Sequence, residues 1–285
     1  MDDRADRGTG SVADRTGHRV TAHPAHAAQG RRLSWPLYAL IVIVYLAIIQ
    51  GVGTLVGVDS GDSESQFPTT ESIVRNALIP IGLSIVFVAA VTTWLGWWPQ
   101  VLRCRVPVRR WVWFVPISMI VVAVAGLNYV HLADQKASLI AGLLVLGVFV
   151  GVGEELMFRG IGVNVFRRAG LSEGKVALYS SIVFGLAHVS NAIGEGAQAL
   201  FQAAIVSTSG YFFYLCLRVG GTLLLPMLVH GLWDTSLISN LVGAEPGAAL
   251  GMVLLIVLQV VLIIVLLVRR HKIAPSPDPT PEPVP

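Results

Sequence analysis

Runs of about twenty consecutive apolar residues set the architecture of this chain. In a hydrocarbon slab the backbone must satisfy its own hydrogen bonds, so only helices of that length, or closed barrels, can cross. About eight such runs occur, at 33–57, 73–96, 111–132, 138–167, 174–192, 197–218, 221–241 and 248–268. Hydrophobic residues make up 54% of the chain and charged residues only 13%, outside the usual range for soluble domains. The expected fold class is therefore all-α: a polytopic membrane helical bundle with about eight transmembrane helices, residues 33–272, in contact with lipid on all sides. Residues 1–32 lack apolar periodicity and are expected to form a disordered N-terminal tail. The Pro-rich residues 273–285 are expected to form a disordered C-terminal one. His18, His23 and His26 are too loosely spaced in that first tail to read as a metal tract. The first apolar run follows Arg31 and Arg32 and lacks a small-residue cleavage site, so it reads as an uncleaved anchor.

Charge fixes the expected orientation. The loop from Asp59 to Glu71 is acidic, whereas Arg103, Arg105, Arg109 and Arg110 follow the second run. With the N-terminus inside, these arginines, Arg31/Arg32, Arg167/Arg168/Lys175, Arg218 and Arg269/Arg270/Lys272 all fall on the cytoplasmic side, and only Arg75 and Lys136 lie near outer ends. A multi-pass protein of the plasma membrane with both termini cytoplasmic is expected. The net charge of +3 follows from this bias, and no nucleic-acid partner is implied. Trp94, Trp97, Trp98, Trp111 and Trp113 bracket the basic loop as an interfacial belt. Neither Cys104 nor Cys216 suggests a disulfide framework or a Cys metal site. Gly147 and Gly151, a small-xxx-small pair followed by Gly153, predict close helix packing.

Against this apolar background the stretch Gly151-Val-Gly-Glu-Glu-Leu-Met-Phe-Arg-Gly160 stands out. An unpaired charge at the centre of a spanning helix costs about 2.5 to 3.5 kcal/mol on insertion scales, so pairing is expected. Glu155 and Arg159 are four apart on one helical face, with the acid N-terminal, the favourable order for an ion pair. Glu154 lies about 100° round the helix and is left for chemistry. Later runs carry Phe184-Gly-Leu-Ala-His188 and His230-Gly-Leu-Trp-Asp234, each pair again on one face. Two histidines and several carboxylates on three helices form an acid/base or metal constellation that structure alone would hardly require in lipid.

Taken in order, Glu154-Glu155-x-x-x-Arg159, Phe184-x-x-x-His188 and His230-x-x-x-Asp234 resemble the three motifs of the CPBP (Abi) family, across about residues 138–241. That family includes the type II CAAX prenyl endopeptidases and bacteriocin-processing or immunity membrane proteins. The resemblance implies intramembrane hydrolysis of a peptide bond in a membrane-associated, possibly lipidated, protein or peptide. It assigns Glu154 as general base, His188 as a second holder of the water, His230 as oxyanion stabiliser, and Glu155 and Arg159 as support. The prenyl endopeptidases typically carry asparagine where this chain has Asp234. An ionised Asp234 cannot donate to an oxyanion, but it can orient His230 or ligate a metal. Zinc held by His188, His230, Asp234 and Glu154 stays open beside metal-independent water activation.

With the boundaries above, Glu154 lies about 16 residues, roughly 24 Å, from the outer start of the fourth helix. His188 lies about 14 residues from the cytoplasmic start of the fifth, so the two fall on opposite sides of the midplane. A shifted, tilted or broken fourth helix is expected to reconcile them. Two other function classes use similar residues. A proton-coupled transporter builds relays from buried Glu and His, although no inverted repeat is present. A non-catalytic membrane partner or immunity-type protein would keep the scaffold without the reaction.

Overall fold

A computed structural model describes residues 30–59, 61, 63–191, 198–248 and 250–275. Of the tails expected at 1–32 and 273–285, residues 1–29, with the three N-terminal histidines, and 276–285 lie outside the described residues, while Arg31 and the buried Ile273 are bonded to the bundle. Each apolar run contains one main helix: α1 Trp35–Val56, α2 Thr70–Leu95, α3 Arg110–Gly126, α4 Ala137–Arg168, α5 Glu173–His188, α6 Gln198–Gly220, α7 Leu224–Ile238 and α8 Leu250–Arg269. No strand is present among the described residues, only isolated bridges joining Phe67 to Val242 and Arg103 to Thr222. The all-α class is thus observed, and five helices are long and apolar enough to cross a membrane. By length, five of the eight expected crossings are supported. α3 and α7 are shorter apolar helices, and α5 has 16 residues.

The short helices end where neighbouring protein takes over their backbone bonding, as buried chain ends require. The α6–α7 turn, with Gly221 at a positive φ of 66°, accepts from Cys104 N at 2.8 Å through Gly221 O. Beyond α7, Asn240 Oδ1 accepts from Asn128 Nδ2 at 2.9 Å. These contacts close opposite ends of the bundle. Arg31 N donates to Leu95 O at 3.0 Å, and Arg109 N to Ile273 O at 2.9 Å, at the arginine-rich end. Phe67 N donates to Leu241 O at 3.0 Å at the other.

The small residues of α4 act as expected. A side chain at Gly231 on α7 would meet Gly147 O at 2.6 Å, and one at Gly147 would meet Gly231 O at 2.7 Å. Gly151 likewise faces the Met227 carbonyl. α4 and α7 therefore touch backbone to backbone, which places Glu155 and His230 within bonding reach. α5 packs as closely on α6, where Gly185 faces Ala203 O and Ser207. In α8, Gln259 Nε2 reaches Ile205 O at 2.8 Å and Thr208 Oγ1 at 2.6 Å, a polar tie between helices where lipid offers no partner. Val253, Ile256, Val257, Val260, Ile264 and Leu267 on the same helix are exposed, the surface that acyl chains would cover.

The tryptophans divide. Trp94 and Trp113 are exposed as a belt would be, but Trp97 is fully buried, donates from Nε1 to Arg31 O at 3.0 Å and carries the Arg168 guanidinium 4.3 Å above its ring. Trp111 donates to Lys272 O at 2.7 Å. These two indoles fasten basic segments together, a use that their amphipathic rings permit. Cys104 and Cys216 are free thiols.

Candidate active site

The fourth helix is neither broken nor shortened. It runs 32 residues from Ala137 to Arg168, but its hydrogen bonding widens to a π-helical turn over Leu156–Gly162, immediately after the paired glutamates. Such turns are rare and concentrate at functional sites. The depth conflict resolves once distance is measured from the α4–α5 turn, closed by Arg167 on Glu173 at 2.8 and 3.0 Å. At 1.5 Å per residue, Glu154 stands about 21 Å from Arg168 and His188 about 22 Å from Glu173, the same height on two antiparallel helices.

The three motifs meet. Glu154 Oε2 lies 4.0 Å from His188 Nε2 and 3.8 Å from His230 Nε2. Asp234 Oδ2 lies 3.6 Å from the same His230 nitrogen. Glu154, His188 and Asp234 keep partial exposure, 18%, 19% and 24% of their side chains, whereas Glu155 and Arg159 have none. The 100° step between adjacent helical residues thus separates two glutamates, one facing the cavity and one sealed in protein.

Each imidazole is held by its other nitrogen. His188 Nδ1 bonds Phe184 O at 3.0 Å, one helical turn back, which leaves Nε2 as the acceptor facing Glu154. His230 Nδ1 donates to Glu155 Oε1 at 2.8 Å. Glu155 thus holds His230 at Nδ1, a partner the sequence did not offer, and Asp234, the carboxylate it did offer, lies across the ring 3.6 Å from Nε2. Glu155 Oε1 also lies 3.1 Å from Arg159 Nη1, an ion pair by distance whose angle does not make a hydrogen bond. Arg159 is covered by the Phe184 ring, 3.9 Å from its guanidinium carbon, a cation–π contact that substitutes for solvent.

Phe213 was not singled out from the sequence. Its ring stacks on His230 with centroids 4.2 Å apart and planes 18° apart, and it also lies beneath Arg159 at 5.3 Å. The signal available was the aromatic run Tyr211-Phe-Phe-Tyr214 on a helix without a charged motif. It reads as packing until the neighbouring helices are in place.

The site opens into a cavity of about 740 Å³. Glu154, His188 and Asp234 line it together with Gln50, Gln66 and Asn191. A second, apolar recess of about 460 Å³ lies between α1 and α5 and shares Leu46 and Ala187 with the first. Among the described residues no group of three or more His, Cys, Asp or Glu side chains is arranged to hold a metal ion. The set raised for zinc, His188, His230, Asp234 and Glu154, does not form such a group.

Residues 109–236 match the family model described as Rce1-like, type II CAAX prenyl endopeptidase. This segment carries the Rce1-like family pattern. It contains all seven residues of the three motifs and agrees with the CPBP resemblance, beginning earlier than the stretch 138–241 that the motifs alone delimit. No curated protein and no solved structure was found to match the chain. With its apolar helices and this membrane-protease family segment, the chain is an integral membrane protein.

Proposed function

We propose that this protein is an intramembrane endopeptidase that hydrolyses a peptide bond in a membrane-associated or lipid-attached polypeptide, using a water activated by Glu154. The observation that carries the reading is the meeting of Glu154 and His188 across 4.0 Å, inside a cavity that water can fill. That gap is too long for a direct hydrogen bond. It suits a water bonded to both, since a separation above about 3.5 Å between polar atoms invites a bridging water.

Glu154 takes a proton from that water as it attacks the substrate carbonyl, and returns it to the leaving amine. His188, its Nδ1 occupied by Phe184 O, offers Nε2 to orient the water. His230 in its imidazolium form donates Nδ1–H to Glu155 and presents Nε2–H beside Glu154, 3.8 Å away, where the oxyanion develops; such a donor commonly contributes about 3 to 4 kcal/mol. Asp234, 3.6 Å from that nitrogen, favours the ring's positive charge. No step is routed through a metal. The family description supports the endopeptidase class, and the apolar recess adjoining the cavity supports a lipid chain or apolar segment as part of the substrate. The shorter α3, α5 and α7 would complete eight crossings within the bundle, with both termini on the cytoplasmic side of the plasma membrane.

The test is direct. Purified protein in proteoliposomes, given a fluorogenic peptide carrying a farnesylated cysteine, is expected to release two peptide fragments, identified by mass spectrometry. Solute uptake without any fragment would favour a transporter instead.

A further inference from the structure

We infer that three amide side chains lining the catalytic cavity, Gln50, Asn191 and Gln202, form a subsite for the substrate's main chain, about two residues from the bond that is cut. The assignment rests on the hydrolase reading, and it adds what holds the polypeptide beside the reacting groups: an extended, uncharged backbone segment, recognised whatever its side chains.

The carboxylates and the imidazole that line the cavity, Glu154, Asp234 and His188, all belong to the reacting set, and no Lys or Arg among the described residues lines it. Holding the rest of a substrate therefore falls to neutral polar groups. Asn76 is engaged within the fold at both ends of its amide, accepting from Val58 N at 2.8 Å and donating to Val58 O at 3.0 Å. Gln50, Asn191 and Gln202 instead form a chain of their own, joining α1, the turn after α5 and α6. Gln50 Nε2 donates to Ser190 Oγ at 3.3 Å and to Asn191 Oδ1 at 3.4 Å, and Asn191 Nδ2 donates to Gln202 Oε1 at 3.2 Å.

Amides that merely tie helices together in lipid look different. Gln259 is buried at 7% exposure and its bonds to α6 are tight, at 2.8 and 2.6 Å, as expected where no water competes. The bonds of the Gln50 chain lie at or beyond the long end of the usual N–H···O range, and its three side chains are half-buried beside open space. The chain also leaves two ends over. Among the described residues Gln50 Oε1 receives no donor and Gln202 Nε2 finds no acceptor. One spare acceptor and one spare donor match what an extended main chain presents, an N–H and a C=O from each residue. The 3-10 turn Val189–Asn191 carries Asn191 about 6 Å beyond His188, at about 2.0 Å per residue. An extended peptide advances about 3.3 Å per residue, so the amides meet it about two residues from the bond held beside Glu154 and His188. Gln50 lies outside the matched residues 109–236, so α1 brings to the cavity a recognition group that the family segment does not contain.

The experiment uses full-length protein in proteoliposomes and the farnesylated fluorogenic peptide, remade as a set in which one backbone N–H at a time is replaced by an ester oxygen on either side of the cut bond. For wild type, the ester two residues from that bond on one side is expected to raise KM about 3- to 10-fold. Its kcat should not change, because the lost hydrogen bond is made equally in ground and transition states. Gln50→Leu removes the spare acceptor, so KM for the all-amide peptide should rise by a similar factor and the same ester should then cost nothing further. A merely structural role for Gln50 would leave the ester sensitivity in place. Additive effects of ester and variant overturn the inference, as does a wild-type scan with no sensitive position at that distance; the scan decides alone if Gln50→Leu does not accumulate. Cleavage without a sensitive position leaves the hydrolase reading standing while the subsite falls, whereas wild type that cleaves none of the peptides removes both.

Discussion

Replacing Glu155 by glutamine should destabilise the protein far more than its size-neutral chemistry suggests. One oxygen of Glu155 lies 3.1 Å from Arg159 Nη1 and 2.8 Å from His230 Nδ1, and neither Glu155 nor Arg159 has any side-chain exposure. The amide can still accept from His230, but Arg159 is left as a buried charge whose only close carboxylate has gone. Breaking one side of such a pair costs about 3 to 5 kcal/mol, because the remaining charge is uncompensated. The Phe184 ring at 3.9 Å covers Arg159 in both forms and cancels in the difference, so a loss of about 3 to 5 kcal/mol is expected. The assay is equilibrium unfolding in detergent micelles for Glu155→Gln, Arg159→Met and the double variant. The double variant should be more stable than the sum of the single losses predicts, since both charges leave together. Wild-type stability in Glu155→Gln, or strict additivity in the cycle, would refute the claim that this pair is a closed electrostatic unit.

Three further outcomes follow from the geometry. Gly231→Ala places a Cβ 2.6 Å from Gly147 O and should cost about 1 to 3 kcal/mol by forcing α4 and α7 apart, whereas Gly174→Ala, with nothing within 4 Å, should leave thermal stability unchanged. Phe213→Leu keeps an apolar side chain but removes the ring stacked on His230, so turnover of the farnesylated peptide should fall while unfolding stability changes by less than about 1.5 kcal/mol. Treatment with 1,10-phenanthroline should leave cleavage intact, since no step draws on a metal; loss of cleavage that added zinc restores would contradict that mechanism.

Much of the site was legible because membranes make polar residues conspicuous. Glu154, His188 and His230 stand out in apolar runs for the same reason that they are costly there, and helical periodicity already separated a paired Glu155 from a free Glu154. The relative heights of α4 and α5 were not legible. They depend on the full 32-residue length of α4 and on its π-helical turn, and neither leaves a hydropathy signature. The second carboxylate at His230 was not legible for a related reason. Asp234 is four residues away on the same helix, whereas Glu155 arrives from another helix through the backbone contact of Gly147 with Gly231. Trp97 and Phe213 look like lipid-facing or packing aromatics in sequence, and only tertiary neighbours distinguish an indole that clamps Arg168 or a ring that lies on His230.

The central claim is that Glu154 activates the water that cleaves the peptide bond, and its most direct test compares wild type with Glu154→Gln, reconstituted at equal amounts in proteoliposomes and assayed with the farnesylated fluorogenic peptide. Glutamine preserves the shape and cannot accept the proton, so cleavage should fall by about 10² to 10⁴-fold with the protein still folded in the membrane. Cleavage by Glu154→Gln at the wild-type rate would contradict the account.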